Sequence, residues 1–391
     1  MKKILVITPR FPFPVVGGDK LRIYQICKEL SKYYSITLVT LCESKSEMSM
    51  VISDTVFDSI HRCFLPKWKS YLSVVSRFIL NEPMQVSYYK SRRFQRMVKG
   101  LAIDHDVVVP HLIRVSDYVK DLDMPKILEM TDALSLNYKR VSETESYAGL
   151  KGLIYRLERK RVERYEKDIP KYFNYVSFIS EYDKSFLYSN DSEVCQKVVV
   201  SSNGVDITAL PYNFVTGSNK LIFIGNMHSA QNFDAAYFFA EKVMPELSKI
   251  CKFEFHVIGK IPERYEAQLK SLNNVIVTGS VDNVCEYAHG ALAAICSVRL
   301  GAGVQNKILE YMALGVPTIS TSIGLEGLEA QVGQDILIAD TVEDFIKHIL
   351  LLKNDCSYSE NIAICAHNYV SNNHSWSSKL QPIVKAVGSI G

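Results

Sequence analysis

The chain has 391 residues, 47% of them apolar, so it is too long for one ordinary domain and too apolar for a disordered one. A net charge of only +3 excludes a general nucleic-acid footprint. Nine cysteines stand singly, with no Cys-x-x-Cys, which excludes a disulfide frame or a zinc site and points to reduced thiols in a cytoplasmic protein.

The first apolar run, KKILVIT (2–8), stops at Pro9 and is too short for a signal peptide or a membrane span. No later run reaches about 18 uninterrupted apolar residues, so the chain is expected in the cytoplasm or resting on the inner face of a membrane. A loop, PRFPFPVVGGD, carries Gly17 and Gly18. A helix through KLRIYQICKELSKYY and a strand, SITLVTL (35–41), follow. Strand, glycine loop, helix and strand form a βαβ unit, and runs buried on both faces imply a parallel sheet.

The stretch 64–100 interleaves basic and aromatic residues with a single acid, Glu82, a composition that suits a surface resting on a bilayer. Further strands are predicted at HDVVVPH (105–111), PKILEMT (125–131), NYVSFIS (174–180) and KVVVSSN (197–203). His111 ends one of them and Asp132 follows another, which puts both where ligands meet parallel sheets. Asp132 reads either as a partner or proton acceptor for a bound hydroxyl or as a helix N-cap. A charged helix over 153–173 reads mainly as a solvated, salt-bridged face.

The stretch NGVDITALPYNFVTGSN (203–219) is a linker, rich in turn formers. The strand pattern then restarts at KLIFIGN (220–226), with a helix over 232–247. It continues through FEFHVIGK (253–260), NVIVTG (274–279), ALAAICSV (291–298) and VPTISTS (316–322). The expected architecture is α/β, with two Rossmann-like doubly wound domains facing a central cleft. The domains are placed at 1–202 and 203–391, with a terminal helix free to cross back to the first.

The segment RLGAGVQNKILEYMALGVP (299–317) carries the most chemistry. Glycines on both sides of Ala302 let backbone approach a ligand closely, and amides at the start of the next helix can donate to an anion. Arg299 and Lys307 would bracket a phosphate there. Glu310, one turn past Lys307, could accept hydrogen bonds from a diol.

This segment resembles the donor-binding stretch of retaining glycosyltransferases of the GT-B fold, the family 4 or "group 1" class. Arg299, Gly301, Gly303, Lys307, Glu310, Met312, Ala313, Gly315 and Pro317 fall into its register. The resemblance implies that Glu310 holds the nucleotide ribose and that Gly301, Ala302, Gly303 and Val304 meet the sugar and diphosphate. Many members have a second glutamate where Ala302 stands. The resemblance extends to Gly17 and Gly18 near the donor phosphates, to Gly225 and Asn226 in the first loop of the donor domain, and to Gly259 and Gly279 near the base. An arginine–lysine pair common in that first loop is missing here, so the cationic duty is assigned to Arg299 and Lys307. Thr131 occupies a seat that is often histidine.

The resemblance implies transfer of a sugar from a nucleotide-sugar donor to a saccharide or lipid-linked saccharide acceptor with retention. The donor would bind the C-terminal domain and the acceptor mainly the N-terminal one, in the setting of bacterial surface polysaccharide synthesis. Arg299, Lys307, Asp132 and His111 are the candidate catalytic residues. No cofactor or catalytic metal is expected; the departing diphosphate would itself help take the acceptor proton, so no carboxylate nucleophile is demanded. A sugar-nucleotide epimerase and a non-catalytic nucleotide-sugar binding subunit are the alternatives. A dehydrogenase is disfavoured, since no Gly-x-Gly-x-x-Gly follows either opening strand.

Overall fold

The computed structural model describes residues 1–15, 17–142, 150–189, 191–215, 218–300 and 304–390. The chain divides into two compact units, one of residues 1–202 and 380–391 and the other of residues 203–379. The terminal helix Trp376–Ile390 therefore begins in the second unit and ends in the first.

In the first unit the strands are β1 (Lys3–Thr8), β2 (Ser35–Cys42), β3 (Ser59–Phe64), β4 (Val107–Pro110), β5 (Ile127–Thr131), β6 (Tyr175–Phe178) and β7 (Val198–Val200). They pair in the orders β3-β2-β1-β4 and β5-β6-β7, and every pairing is parallel. Parallel bridges Val108–Lys126 and His111–Glu129 carry the first order into the second. Continuous apolar strands are the cause. Ile4, Leu5, Val6 and Ile7 in β1 are all fully buried, as a strand covered on both faces requires.

The second unit repeats the plan. Its strands are β8 (Lys220–Ile224), β9 (Glu254–Ile258), β10 (Val275–Gly279), β11 (Ala293–Cys296), β12 (Thr318–Ser320) and β13 (Leu337–Ile338). They form one parallel sheet in the order β10-β9-β8-β11-β12-β13. Phe239, Phe255 and Phe345 pack ring to ring under it, each fully buried and each contributing roughly 1.5–3 kcal/mol. Both units thus have the alternating α/β arrangement expected from the two strand-rich halves.

Two strands were not anticipated. β3 reads SIHRCF and is only partly buried, while β13 has two residues, so neither presents an apolar run. In each sheet the order reverses beside the first strand, between β1 and β4 and between β8 and β11. Loops leaving the carboxyl ends there diverge to opposite faces and open a crevice for ligands.

Candidate active site

In the second unit the loops after β8, β9 and β10 are tied to one another. The Gly225 amide donates to Ile258 O at 3.0 Å, Gly259 to Gly279 O at 2.9 Å, and Met227 to Lys260 O at 2.7 Å. Gly259 has φ +130°, and a Cβ there would stand 2.0 Å from the Gly225 carbonyl oxygen. Only glycine lets those two backbones meet. Gly225, Asn226, Gly259 and Gly279 all lie at the carboxyl edge of the sheet.

Past β11 the chain reaches Arg299, which pairs with Asp234 at 2.8 Å and stacks 4.3 Å over the Phe238 ring. Gly301, Ala302 and Gly303 lie outside the described residues. Val304 is buried, and the helix Asn306–Ala313 follows. Its N-cap, Gln305, makes no side-chain cap bond, which leaves the first-turn amides without a side-chain partner from that position. The Tyr311 hydroxyl accepts the Ile224 amide at 2.7 Å and holds this helix against the end of β8.

Lys307 is 8% exposed. Its Nζ donates to Asn232 Oδ1 at 2.6 Å and lies 4.8 Å from the Phe223 ring centroid. Asn232 in turn donates its Nδ2 to Asn226 O at 3.0 Å. The lysine, the first helix of the unit and the β8 loop are therefore one connected network. Burial lowers the Lys307 pKa, with Cys296 and Glu310 opposing it. Burial also pushes the Glu310 carboxyl up to about 7, against the pull of Lys307.

In the first unit the ends of β1, β4 and β5 gather a second set of charged groups. Gly17 has φ +102° and opens the helix Gly18–Leu30. Asp19 in its first turn pairs with Arg10, and burial, which would raise its pKa, is outweighed by Arg10, His111 and Arg114, which lower it. His111 is 2% exposed, with Nδ1 at 2.6 Å from Glu129 Oε2. Its other ring nitrogen, Nε2, is buried without a partner. Arg22 Nε donates to Glu129 Oε1 at 2.6 Å, and Thr131 Oγ1 donates to Oε2 at 2.9 Å. Burial would raise the Glu129 pKa, yet Arg22 and the His111 bond hold it at about 2. An ionised Glu129 favours a proton on Nδ1, which leaves Nε2 as an acceptor.

Thr131 has φ +68°, strained for a β-branched residue, at an irregularity in the β5–β6 register. The strain falls where the chain turns to present Asp132. Burial, then the nearby Asp183, push Asp132 up to about 7. The helix that follows, Leu134–Ser142, draws its caps from elsewhere. Ala133 N donates to Asp183 Oδ1 at 2.9 Å, Leu134 N to Glu166 Oε1 at 2.6 Å, and Ser135 N to Glu166 Oε2 at 3.1 Å. The N-cap reading of Asp132 is thereby replaced by Asp183 and Glu166.

Residues 218–355 match the family model described as Glycosyl transferases group 1. The chain is 24% identical to an uncharacterized 44.6 kDa protein in the cps region of Klebsiella pneumoniae, over 96% of this chain and 97% of that one. Among solved structures, sucrose-phosphate synthase from Thermosynechococcus elongatus superposes with a TM-score of 0.76 at 11% identity, covering 100% of this chain and 99% of the other. HepE from Anabaena, solved in complex with UDP and glucose, gives 0.68 at 12% identity, with 100% of both chains covered. The chain contains a domain, residues 218–355, similar to the group 1 glycosyltransferases. Its fold is GT-B.

Sequence reasoning passed over two residues of this chain, Glu129 and Arg22. The signal was available: a carboxylate inside the apolar strand ILEMT needs a buried cation, and Arg22 stands on the buried side of an amphipathic helix. Two Asp-x-Asp triplets occur, Asp104-His105-Asp106 and Asp121-Leu122-Asp123, and each precedes a strand. They sit at the amino-terminal edge of the sheet, where Asp106 accepts the Lys3 amide at 2.7 Å, and not at the candidate site. Among the described residues no three His, Cys, Asp or Glu side chains are grouped to hold a metal ion.

Proposed function

We propose that the protein is a glycosyltransferase that moves a sugar from a nucleoside diphosphate donor to a saccharide or lipid-linked saccharide, with retention at the anomeric carbon and without a metal. The donor belongs to the second unit, and the Lys307–Asn232 network beside Glu310 is the observation that carries this reading. An ionised Glu310 accepts hydrogen bonds from the two ribose hydroxyls. Lys307, Arg299 and the amide of Val304 are assigned to the diphosphate. HepE binds UDP, which makes UDP-hexoses the first donors to test.

In the reaction the bond from the anomeric carbon to the diphosphate oxygen breaks, and the acceptor oxygen bonds that carbon on the same face. The acceptor proton passes to the departing diphosphate. Negative charge develops on the leaving group, so donors aimed at it lower the barrier most. In the first unit Asp132 and the Nε2 of His111 orient the acceptor hydroxyl. The likeness to a protein in a cps region supports a role in surface polysaccharide synthesis, at the cytoplasmic face.

Calorimetric titration with UDP and UDP-hexoses tests donor binding, and the anomeric coupling in the product, read by NMR, tests retention. An inverted product overturns the stereochemical assignment. Conversion of donor with no acceptor present would assign an epimerase instead.

A further inference from the structure

We infer that the first unit carries a docking face for an anionic lipid bilayer, centred on the helix Lys67–Arg77. This helix is built the wrong way round for water. Its one buried residue is Ser70, and Ser73 Oγ donates to Ser87 O at 2.8 Å, so a polar side faces the protein. Trp68, Tyr71, Leu72 and Val75, spaced to share the other side, are 60–73% exposed. The segment after the helix continues the pattern, with Phe78 and Leu80 both exposed.

A second helix extends the apolar area. Arg161 stacks 4.4 Å over the Phe78 ring and donates to Phe78 O and Asn81 Oδ1, each at 3.1 Å. This joins the segment to the helix Leu150–Asp168, whose Leu153, Ile154 and Leu157 are also exposed, one to two turns before Arg161. An apolar face of this extent marks an interaction surface.

Charge selects the partner. Residues 64–100 hold eight lysines and arginines and one acid, while the whole chain carries a net charge of only +3. The acid, Glu82, is paired with Arg77. The helix Arg92–Ala102 presents Arg92, Arg93, Arg96 and Lys99 to solvent. A groove of about 430 Å³ between it and the first helix brings Lys69, Arg77 and Arg92 around Leu72. Apolar side chains bounded by cations match acyl chains lying under anionic headgroups. Two copies of this chain pressed together by this face would oppose like charges, which disfavours a dimer. The inference stands apart from the proposed reaction, because none of these residues is assigned to either substrate.

Co-sedimentation of the full chain with equimolar phosphatidylglycerol–phosphatidylcholine vesicles, against pure phosphatidylcholine, is the test. The chain has two tryptophans, and Trp376 is 9% exposed, so a blue shift on vesicle binding reports Trp68 and vanishes in Trp68→Phe. The expected result is binding to the anionic vesicles, weakened about tenfold or more by Leu72→Glu with Val75→Glu and by about 0.5 M salt. Arg92→Glu with Arg96→Glu, on a separate helix, should weaken it comparably. Unchanged melting and UDP binding of each variant keep the result separate from the reading of the donor site. Failure to bind either vesicle overturns the inference. So does binding that ignores these substitutions, or a concentration-dependent dimer that the Leu72/Val75 pair of changes disperses while vesicles are ignored.

Discussion

Replacing Glu129 by Gln removes one charge from a buried ion pair. Arg22 is fully buried and loses its carboxylate at 2.6 Å, and His111 loses the anion at 2.6 Å that fixes its tautomer. Breaking a buried pair by removing one partner typically costs about 3–5 kcal/mol. The lowered pKa, which arises from the same contacts, gives a figure of the same order. Glu129 falls from 4.5 to about 2 on folding, and at 1.36 kcal/mol per unit this is worth about 3 kcal/mol. The sign follows from the lowered folded-state value. The contribution is complete above about pH 4.5, drops to about half near pH 3 and is nearly gone by about pH 2.

Urea unfolding read by pulsed hydrogen exchange across residues 105–131 confines the measurement to β4 and β5. Glu129→Gln should destabilise those peptides by about 3 kcal/mol at neutral pH, and the deficit should shrink as the pH falls toward 2. Adding Arg22→Met should restore part of the loss, because the double variant leaves no unpaired arginine. A deficit below about 1 kcal/mol at neutral pH, or one that does not change with pH, would refute the buried-pair argument.

Glu310→Gln should weaken UDP binding by about 10- to 100-fold in calorimetry, since hydrogen bonds to a charged acceptor are lost. The same change should stabilise the ligand-free protein at pH 8 by on the order of 1–3 kcal/mol, because the raised Glu310 pKa costs wild-type stability as pH climbs from 4.5 through about 7. Wild-type donor affinity should rise with pH over the same range, and equal melting of the two proteins at pH 8 would contradict this. Lys307→Met keeps the volume against Phe223 but removes the cation, and should reduce UDP affinity at least about tenfold with the fold intact by circular dichroism. Gly259→Ala forces a Cβ to 2.0 Å from Gly225 O and should cost the second unit about 3 kcal/mol in calorimetry. An unchanged transition would argue against that loop crossing. Asp132→Asn should lower kcat about 100-fold by misplacing the acceptor hydroxyl, without changing UDP affinity, and should erase a rise in kcat near pH 7.

The amino-acid sequence by itself determined that both units are built on parallel strands, and it placed the candidate residues at their carboxyl edges. Strands such as KILVIT and ALAAICSV are apolar on both faces, and glycines or polar residues follow them at once. Local composition therefore fixes the element type and which end of each strand carries ligand groups. It did not give β3 or β13, whose residues lack an apolar run because they lie at sheet edges.

Only the tertiary structure decided the partners of the charged residues. Lys307 and Asn232 are 75 positions apart, and Glu129 and Arg22 are 107 apart, so nothing local in the sequence announces either contact. Their chemistry depends on that pairing, because burial penalises a charge and a specific neighbour stabilises it. The same holds for the helix Lys67–Arg77. Its sequence shows a stripe of apolar residues, but only the fold shows that Ser70 faces the protein and the stripe faces out. Periodicity gives a helix its two faces, and long-range packing chooses which one water sees.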